Sequence, residues 1–275
     1  MTIKLIATDL DGTFVDDRKH LINENVQAFA ECAKRGIHIV PATGRTIVGI
    51  PDEIRNLPGV RYAITSNGAS VVDLTSGEAV SSCKMSTETV IRIMELAKDS
   101  EDDIMYDAYV DGMGYTKQEF WDNLLHYIPD PGVLELVRKT RTPVPDNIEY
   151  IRAAGADAEK INMFFVEEEA RKRMRTALAD VPGLSVTSSL PNNLEINAAG
   201  ADKGGALLRI AEYLGIMPEE TMAFGDGEND ISMLRMAGFG VAMENAEEHV
   251  KMAADHVTVT NNEAGVAAAL RKFVL

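Results

Sequence analysis

Over its first part the chain sets out apolar residues in blocks, not singly. "IKLIATDL" is a continuous apolar run that ends in carboxylates, the pattern of a strand buried on both faces of a parallel sheet. "NENVQAFAECAKRG" follows, with Val26, Phe29, Ala30 and Ala33 at helical spacing, Asn23 as the expected N-cap and Gly36 as the stop. "IHIVPATG" reads as a second buried strand, "TIVGIPDEIRNL" as a broken helix and "RYAITSNGA" as a third strand. "VVDLTSGEAV" reads as a hairpin turning at Thr75-Ser76-Gly77. The same rhythm returns after about Pro191. "DKGGALLRIAEYLG" is an amphipathic helix ended by Gly215, "TMAFGDG" is a strand with a polar end, and "FGVAM", "HVTV" and "EAGVAAALRKFV" continue the alternation. The pattern predicts a doubly wound, Rossmann-like α/β fold with a parallel sheet and right-handed crossovers.

The middle of the chain differs. "STETVIRIMELAKDS" predicts a helix, and "DIMYDAYVDGMGYT" an antiparallel hairpin with Asp111-Gly112 at its turn. A helix around "KQEFWDNLLHY" and a proline-rich stretch come next. The strand "KINMFFV", the helix "EEEARKRMRTALADV" and the strands "LSVTSS" and "NLEINA" follow. Residues 1–83 and 190–275 are therefore expected to form a discontinuous core, with 84–189 as an inserted α+β domain.

Composition narrows the partners. At 275 residues and 45% hydrophobic, the chain can build a sizeable core. Its 27 basic and 43 acidic residues give a formal net charge of −16, a surface that repels nucleic acid and anionic lipid but not Mg²⁺. Cys32 and Cys83 offer neither a disulfide framework nor a zinc spacing. No apolar segment approaches the ~20 residues of a membrane span, and no signal core precedes Asp9. A cytoplasmic protein is expected, as a monomer or small homo-oligomer.

Ligands of open α/β sheets sit beyond the carboxyl ends of the strands. There the sequence places Asp9, Asp11, Gly12 and Thr13 after the first strand, and Thr43, Gly44 and Arg45 after the second. Asp226, Asn229 and Asp230 follow the strand "TMAFGDG", and Lys203 starts a helix. Carboxylates this close repel unless a hard cation neutralises them, and Mg²⁺ suits an all-oxygen site shared with a substrate phosphate. A lysine at a helix N-terminus favours the same phosphate. Other readings of these motifs fail. An EF-hand would need Gly at Phe14 and Glu at His20, a dinucleotide fingerprint would need Gly at Asp230, and the chain has no P-loop.

"DLDGT", "ATGR", "DKGGAL" and "GDGENDISML" resemble, in order and spacing, the four motifs of the haloacid dehalogenase superfamily of aspartyl-phosphate phosphohydrolases. The long insert between the second and third motifs is similar to the Cof-type subfamily with its type-IIB α/β cap. The resemblance implies a phosphatase of small organic phosphates, sugar phosphates foremost, with a small phosphorylated metabolite as substrate. It implies Asp9 as nucleophile and Asp11 as general acid, then base. It also implies Mg²⁺ on the Asp9 carboxylate, the Asp11 main-chain carbonyl and Asp226. Thr43, Gly44, Lys203 and Asn229 would bind the phosphoryl oxygens, with Asp230 orienting the metal waters or Lys203. Arg45 and Asn67 in the core, and Tyr106, Arg138 and Arg141 in the insert, are polar residues able to line the pocket. A phosphomutase on the same fold and a non-enzymatic aspartyl-phosphate acceptor are the alternatives.

Overall fold

The computed structural model describes residues 2–275. The expected first strand is β1 (Leu5–Thr8), followed by β2 (His38–Pro41), β3 (Tyr62–Thr65), β4 (Ser70–Asp73) and β5 (Ala79–Ser82). The middle carries β6 (Ile104–Val110), β7 (Met113–Lys117), β8 (Arg141–Val144), β9 (Lys160–Phe165), β10 (Leu184–Thr187) and β11 (Asn193–Ala198). The last part carries β12 (Thr221–Gly225), β13 (Phe239–Ala242) and β14 (His256–Val257). The chain divides into two compact units. One takes the chain up to Arg45, Ile50–Ser82 and Ala201–Leu275, and the other takes Thr46–Gly49 and Cys83–Gly200.

The first unit is built on a five-stranded sheet in the order β14-β13-β12-β1-β2, every neighbour parallel. Its apolar runs lack alternation because both faces are covered. Leu5 and Ala7 pack with Leu207 and Ile210 of the helix Lys203–Tyr213, while Ile6 packs with Phe29 and Leu270 on the opposite side. Each buried leucine, isoleucine or phenylalanine among these contributes about 1.5–3 kcal/mol. Thr8 is level with Phe224 on one side and Pro41 on the other, so β12, β1 and β2 release their loops at one edge. Beyond β2 the antiparallel strands β3, β4 and β5 form a small sheet, met through the parallel bridge Ala42↔Ile64. The helix Asn23–Lys34 departs from expectation at its start. Its N-cap is Ile22, whose carbonyl accepts the N–H groups of Asn25 and Val26, so Asn23 is already inside the first turn. Gly36, at φ 77, follows its end as expected.

The second unit holds a six-stranded sheet in the order β10-β11-β9-β6-β7-β8, antiparallel except for the β7–β8 pair. Asp111 and Gly112, at φ 50 and 79, make the expected hairpin turn. Ile104, Tyr106, Ala108 and Val110 face an apolar cluster with Val90, Ile151 and Leu178. The sequence boundary at residue 190 is corrected here. β11 pairs antiparallel with both β9 and β10, so its backbone hydrogen bonds bind it to this sheet and the unit runs to Gly200. β8, within the stretch read as proline-rich, was not expected; it lies at the sheet edge, where Pro143 removes no inner ladder bond. Among the described residues no helix is long and apolar enough to cross a membrane.

Candidate active site

The chain leaves β1 through an irregular helical turn, Leu10–Phe14. Asp9 continues the strand, its N–H donating to the carbonyl of Phe224 at 3.0 Å. Gly12 sits at φ 83, a left-handed conformation that costs an ordinary residue, and a Cβ there would overlap the Asp226 carboxylate. The turn after β1 can therefore come close to the end of β12. A second glycine does similar work: a Cβ on Gly225 would overlap the Asp230 side chain. With that space open, Asp230 folds under its own loop and its Oδ2 accepts the N–H groups of Asp226 at 3.0 Å and Gly227 at 2.9 Å.

Lys203 is 0% exposed, and its Nζ donates to Asp9 Oδ1 and to Asp230 Oδ1, each at 2.6 Å. The helix that carries it begins at an Asp202 N-cap, whose carboxylate accepts the Gly205 N–H at 2.9 Å. Thr13 Oγ1 donates to Asp226 Oδ1 at 2.6 Å. Asp9, Asp226 and Asp230 each offer an oxygen, and the three oxygens lie within 4.8 Å of one another. These bonds occupy both oxygens of Asp230, but take up only Oδ1 of Asp9 and only Oδ1 of Asp226.

The electrostatics follow from burying three carboxylates around one ammonium. Burial pushes the Asp9 carboxyl well above its ordinary range; Lys203 opposes this, and Asp230, Asp226 and Asp11 add to it. Asp226 is pushed up to about 6, by burial first and then by Asp230, against the Thr13 hydrogen bond and Lys203. Burial works against the Lys203 charge too, yet the flanking Asp230 and Asp9 carboxylates hold its pKa above the ordinary value. Two raised carboxyls, each with an oxygen to spare, form an all-oxygen donor set that fits a hard divalent cation.

Asp11 is held quite differently. Arg45 grips it with two parallel bonds, Nε to Oδ2 at 2.9 Å and Nη2 to Oδ1 at 2.7 Å, and Lys19 Nζ lies 3.0 Å from Oδ1. Burial alone would raise its pKa; Arg45 and then Lys19 bring it below the ordinary carboxylate value. Thr43 is buried after β2, its Oγ1 accepting the Arg45 N–H at 3.1 Å and its carbonyl accepting the Asn67 N–H at 3.1 Å. Asn229 Nδ2 donates to Asn67 Oδ1 at 3.1 Å. Asn67 thus ties the turn of Thr43 and Gly44 to the loop after β12.

The structure brings Asp9, Lys203, Asp226 and Asp230 into direct contact, and links Thr43 with Asn229 through one intervening residue. Thr13 was placed at the strand end but given no role, and Lys19 was missed as a site residue. Thr13 had a signal, its place in "DLDGT", whereas Lys19 in "DDRKH" reads as part of a solvated turn. In the second unit Tyr106 belongs to the apolar core, and Arg141 Nε pairs with Asp107 Oδ2 at 3.2 Å.

Residues 6–270 match the sequence model of the haloacid dehalogenase-like hydrolases. The chain is 32% identical over 276 residues to the 5-amino-6-(5-phospho-D-ribitylamino)uracil phosphatase of Bacillus subtilis, covering 99% of this chain and 96% of that protein. A solved haloacid dehalogenase-like hydrolase from the same organism superposes with a TM-score of 0.84 at 30% identity, over 99% of this chain and 100% of that one. A solved subclass IIB sugar phosphatase superposes with a TM-score of 0.81 at 27% identity, over 98% of each chain. On these matches the chain belongs to the haloacid dehalogenase-like hydrolases, Cof type and subclass IIB, and is a phosphoric monoester hydrolase.

Proposed function

We propose that this enzyme is a Mg²⁺-dependent phosphatase of small organic phosphates, sugar and polyol phosphates foremost, acting through an aspartyl-phosphate on Asp9. The observation that carries the reading is the fully buried Lys203, bonded at 2.6 Å to both Asp9 and Asp230. A buried ammonium beside Asp9 favours the anion that a nucleophile must be, and adds positive charge where a phosphoryl group would arrive. The relatives support the substrate class, since one acts on a phosphorylated ribityl compound and a structural neighbour is a sugar phosphatase.

Asp9 and Asp226, with the Asp11 main-chain carbonyl, would hold Mg²⁺, which when bound offsets phosphoryl charge and lets a carboxylate approach an anion. An Asp9 oxygen forms a bond to phosphorus while the bond to the leaving oxygen breaks. Asp11 supplies the proton that turns the leaving alkoxide into an alcohol, a role worth ~10²–10⁴-fold. In the second half Asp11 takes a proton from water as the water oxygen bonds to phosphorus, and the electron pair returns to Asp9. Lys203, Thr43, the Gly44 N–H and Asn229 bind phosphoryl oxygens, and Asp230 keeps Lys203 in place. All of these residues belong to the first unit, and in this reading selection of the leaving group is left to the inserted unit.

Rapid-quench intact-protein mass spectrometry tests the reading. Turnover of sugar phosphates should leave a phosphoryl adduct in the parent and none in Asp9→Asn, and should stop in EDTA and return with Mg²⁺. An adduct on Asp9→Asn, or full turnover in chelator, refutes it.

A further inference from the structure

We propose that Lys19 is a positioning residue for Asp11, occupying one carboxylate oxygen so that the other is the one presented to the leaving group. The inference rests on the reading of Asp11 as the acid.

Lys19 is poorly placed to serve stability. It lies in the left-handed region at φ 66, which costs a residue with a Cβ, and its side chain is 56% exposed, where an ion pair stabilises a fold little. The hairpin around it nevertheless fixes that conformation. Lys19 N–H donates to the Asp16 carbonyl at 2.9 Å, and Asp16 Oδ1 accepts the N–H groups of Arg18 at 2.9 Å and His20 at 2.8 Å. The Asp17 carboxylate is anchored from outside the hairpin by the side-chain amides of Asn261 at 3.0 Å and Asn262 at 2.9 Å. A strained residue held by so many bonds, with its amine on a carboxylate at the proposed reaction centre, points to a role in the reaction.

The bonding pattern says what that role is. A carboxylate oxygen has two lone pairs. Asp11 Oδ1 accepts from Arg45 Nη2 at 2.7 Å and lies 3.0 Å from Lys19 Nζ, so both of its lone pairs are engaged. Oδ2 accepts from Arg45 Nε at 2.9 Å and keeps a lone pair. Oδ2 is then the oxygen that passes its proton to the leaving oxygen as the P–O bond breaks, the bond's electron pair going to that oxygen. It is also the oxygen that recovers a proton from the attacking water. Arg45 alone fixes the plane of the carboxylate; Lys19 adds the asymmetry between its two oxygens.

The test compares the fastest ester in a panel of sugar and polyol phosphates, whose leaving group needs a proton, with p-nitrophenyl phosphate, whose leaving group does not. Lys19→Met should lower kcat on the alkyl ester by about tenfold to a hundredfold, with KM within about twofold and a much smaller loss on the aryl ester. Lys19→Arg should recover most of that loss. Lys19→Gly relieves the strained backbone, so it should melt no lower than the parent while sharing the alkyl-ester defect, an outcome that a merely structural lysine would not give. An equal loss on both esters, no loss on the alkyl ester, or no recovery with arginine overturns the proposal. Asp11→Asn separates the two levels. If it fails to split the esters, the acid reading falls and takes this inference with it. If it splits them and Lys19→Met does not, the assignment of Lys19 alone is wrong.

Discussion

Replacing Asp226 with Asn should make the metal-free enzyme more stable and, at the same time, inactive. Burial and the Asp230 charge move the Asp226 carboxyl from 3.8 to about 6. A carboxyl whose pKa is raised by folding contributes stability while protonated, and that contribution is lost as pH rises through the folded pKa. The window therefore runs from 3.8 to about 6. A shift of about two units, at about 1.36 kcal/mol per unit, means that ionised Asp226 costs the fold about 3 kcal/mol above that window. Asn removes the charge and keeps an oxygen for the Thr13 hydroxyl, which lies 2.6 Å from Asp226 Oδ1. Urea unfolding followed by circular dichroism, in EDTA, should show Asp226→Asn ahead of the parent by about 3 kcal/mol near pH 7.5, with the gap closing near pH 4. Added Mg²⁺ should stabilise the parent and leave the variant almost unmoved, since a bound cation stabilises only the state that binds it. A variant no more stable than the parent in EDTA at pH 7.5 would refute the claim that Asp226 is an uncompensated anion.

Two further substitutions probe the same cluster. Lys203→Met leaves Asp9 and Asp230 buried without their shared counter-ion and should cost about 3–5 kcal/mol by denaturant unfolding, with turnover lost. Adding Asp230→Asn to it should recover part of the stability and none of the rate. Gly12→Ala must place a Cβ at φ 83 against the Asp226 carboxylate, so it should lose at least ~1–2 kcal/mol in a thermal melt and lower the response to Mg²⁺.

The parallel core was legible because strands covered on both faces cannot alternate. "IKLIATDL" and "IHIVPATG" announce themselves as unbroken apolar runs, and the polar residues that end them are the ones the fold collects at one edge. The limit of the second unit was less legible. β11, the strand "NLEINA" of the middle part, follows a turn-rich segment that reads like a return to the core, and its pairing with β9 and β10 carries the unit past residue 190. β8 was hidden for a related reason, since a short edge strand containing Pro143 carries the local signature of a loop. In the site, the motif order gave Asp9, Lys203, Asp226 and Asp230 but not the grip of Arg45 on Asp11, which depends on how two strand-end loops face each other. Lys19 left no trace at all. Its placement depends on a left-handed backbone at a residue type that rarely adopts one, and on amides more than 240 positions along the chain.

The two aspartates of "DLDGT" end up in surroundings of opposite sign, and this explains how a chain of net charge −16 can process an anion. Around Asp9 stand Asp226, Asp230 and Lys203, three carboxylates against one ammonium, a cluster two charges short that a divalent cation would balance. Around Asp11 stand Arg45 and Lys19, two cations against one carboxylate. Burial raises the carboxyls of Asp9 and Asp226, while the cations depress that of Asp11. In the proposed mechanism the excess negative charge therefore lies where a metal would bind, and the excess positive charge lies beside the residue assigned to the leaving alkoxide. Separating the charges in this way would let neighbours two positions apart in sequence take different parts of one reaction, with the irregular turn Leu10–Phe14, which starts directly after Asp9, setting their side chains in separate fields.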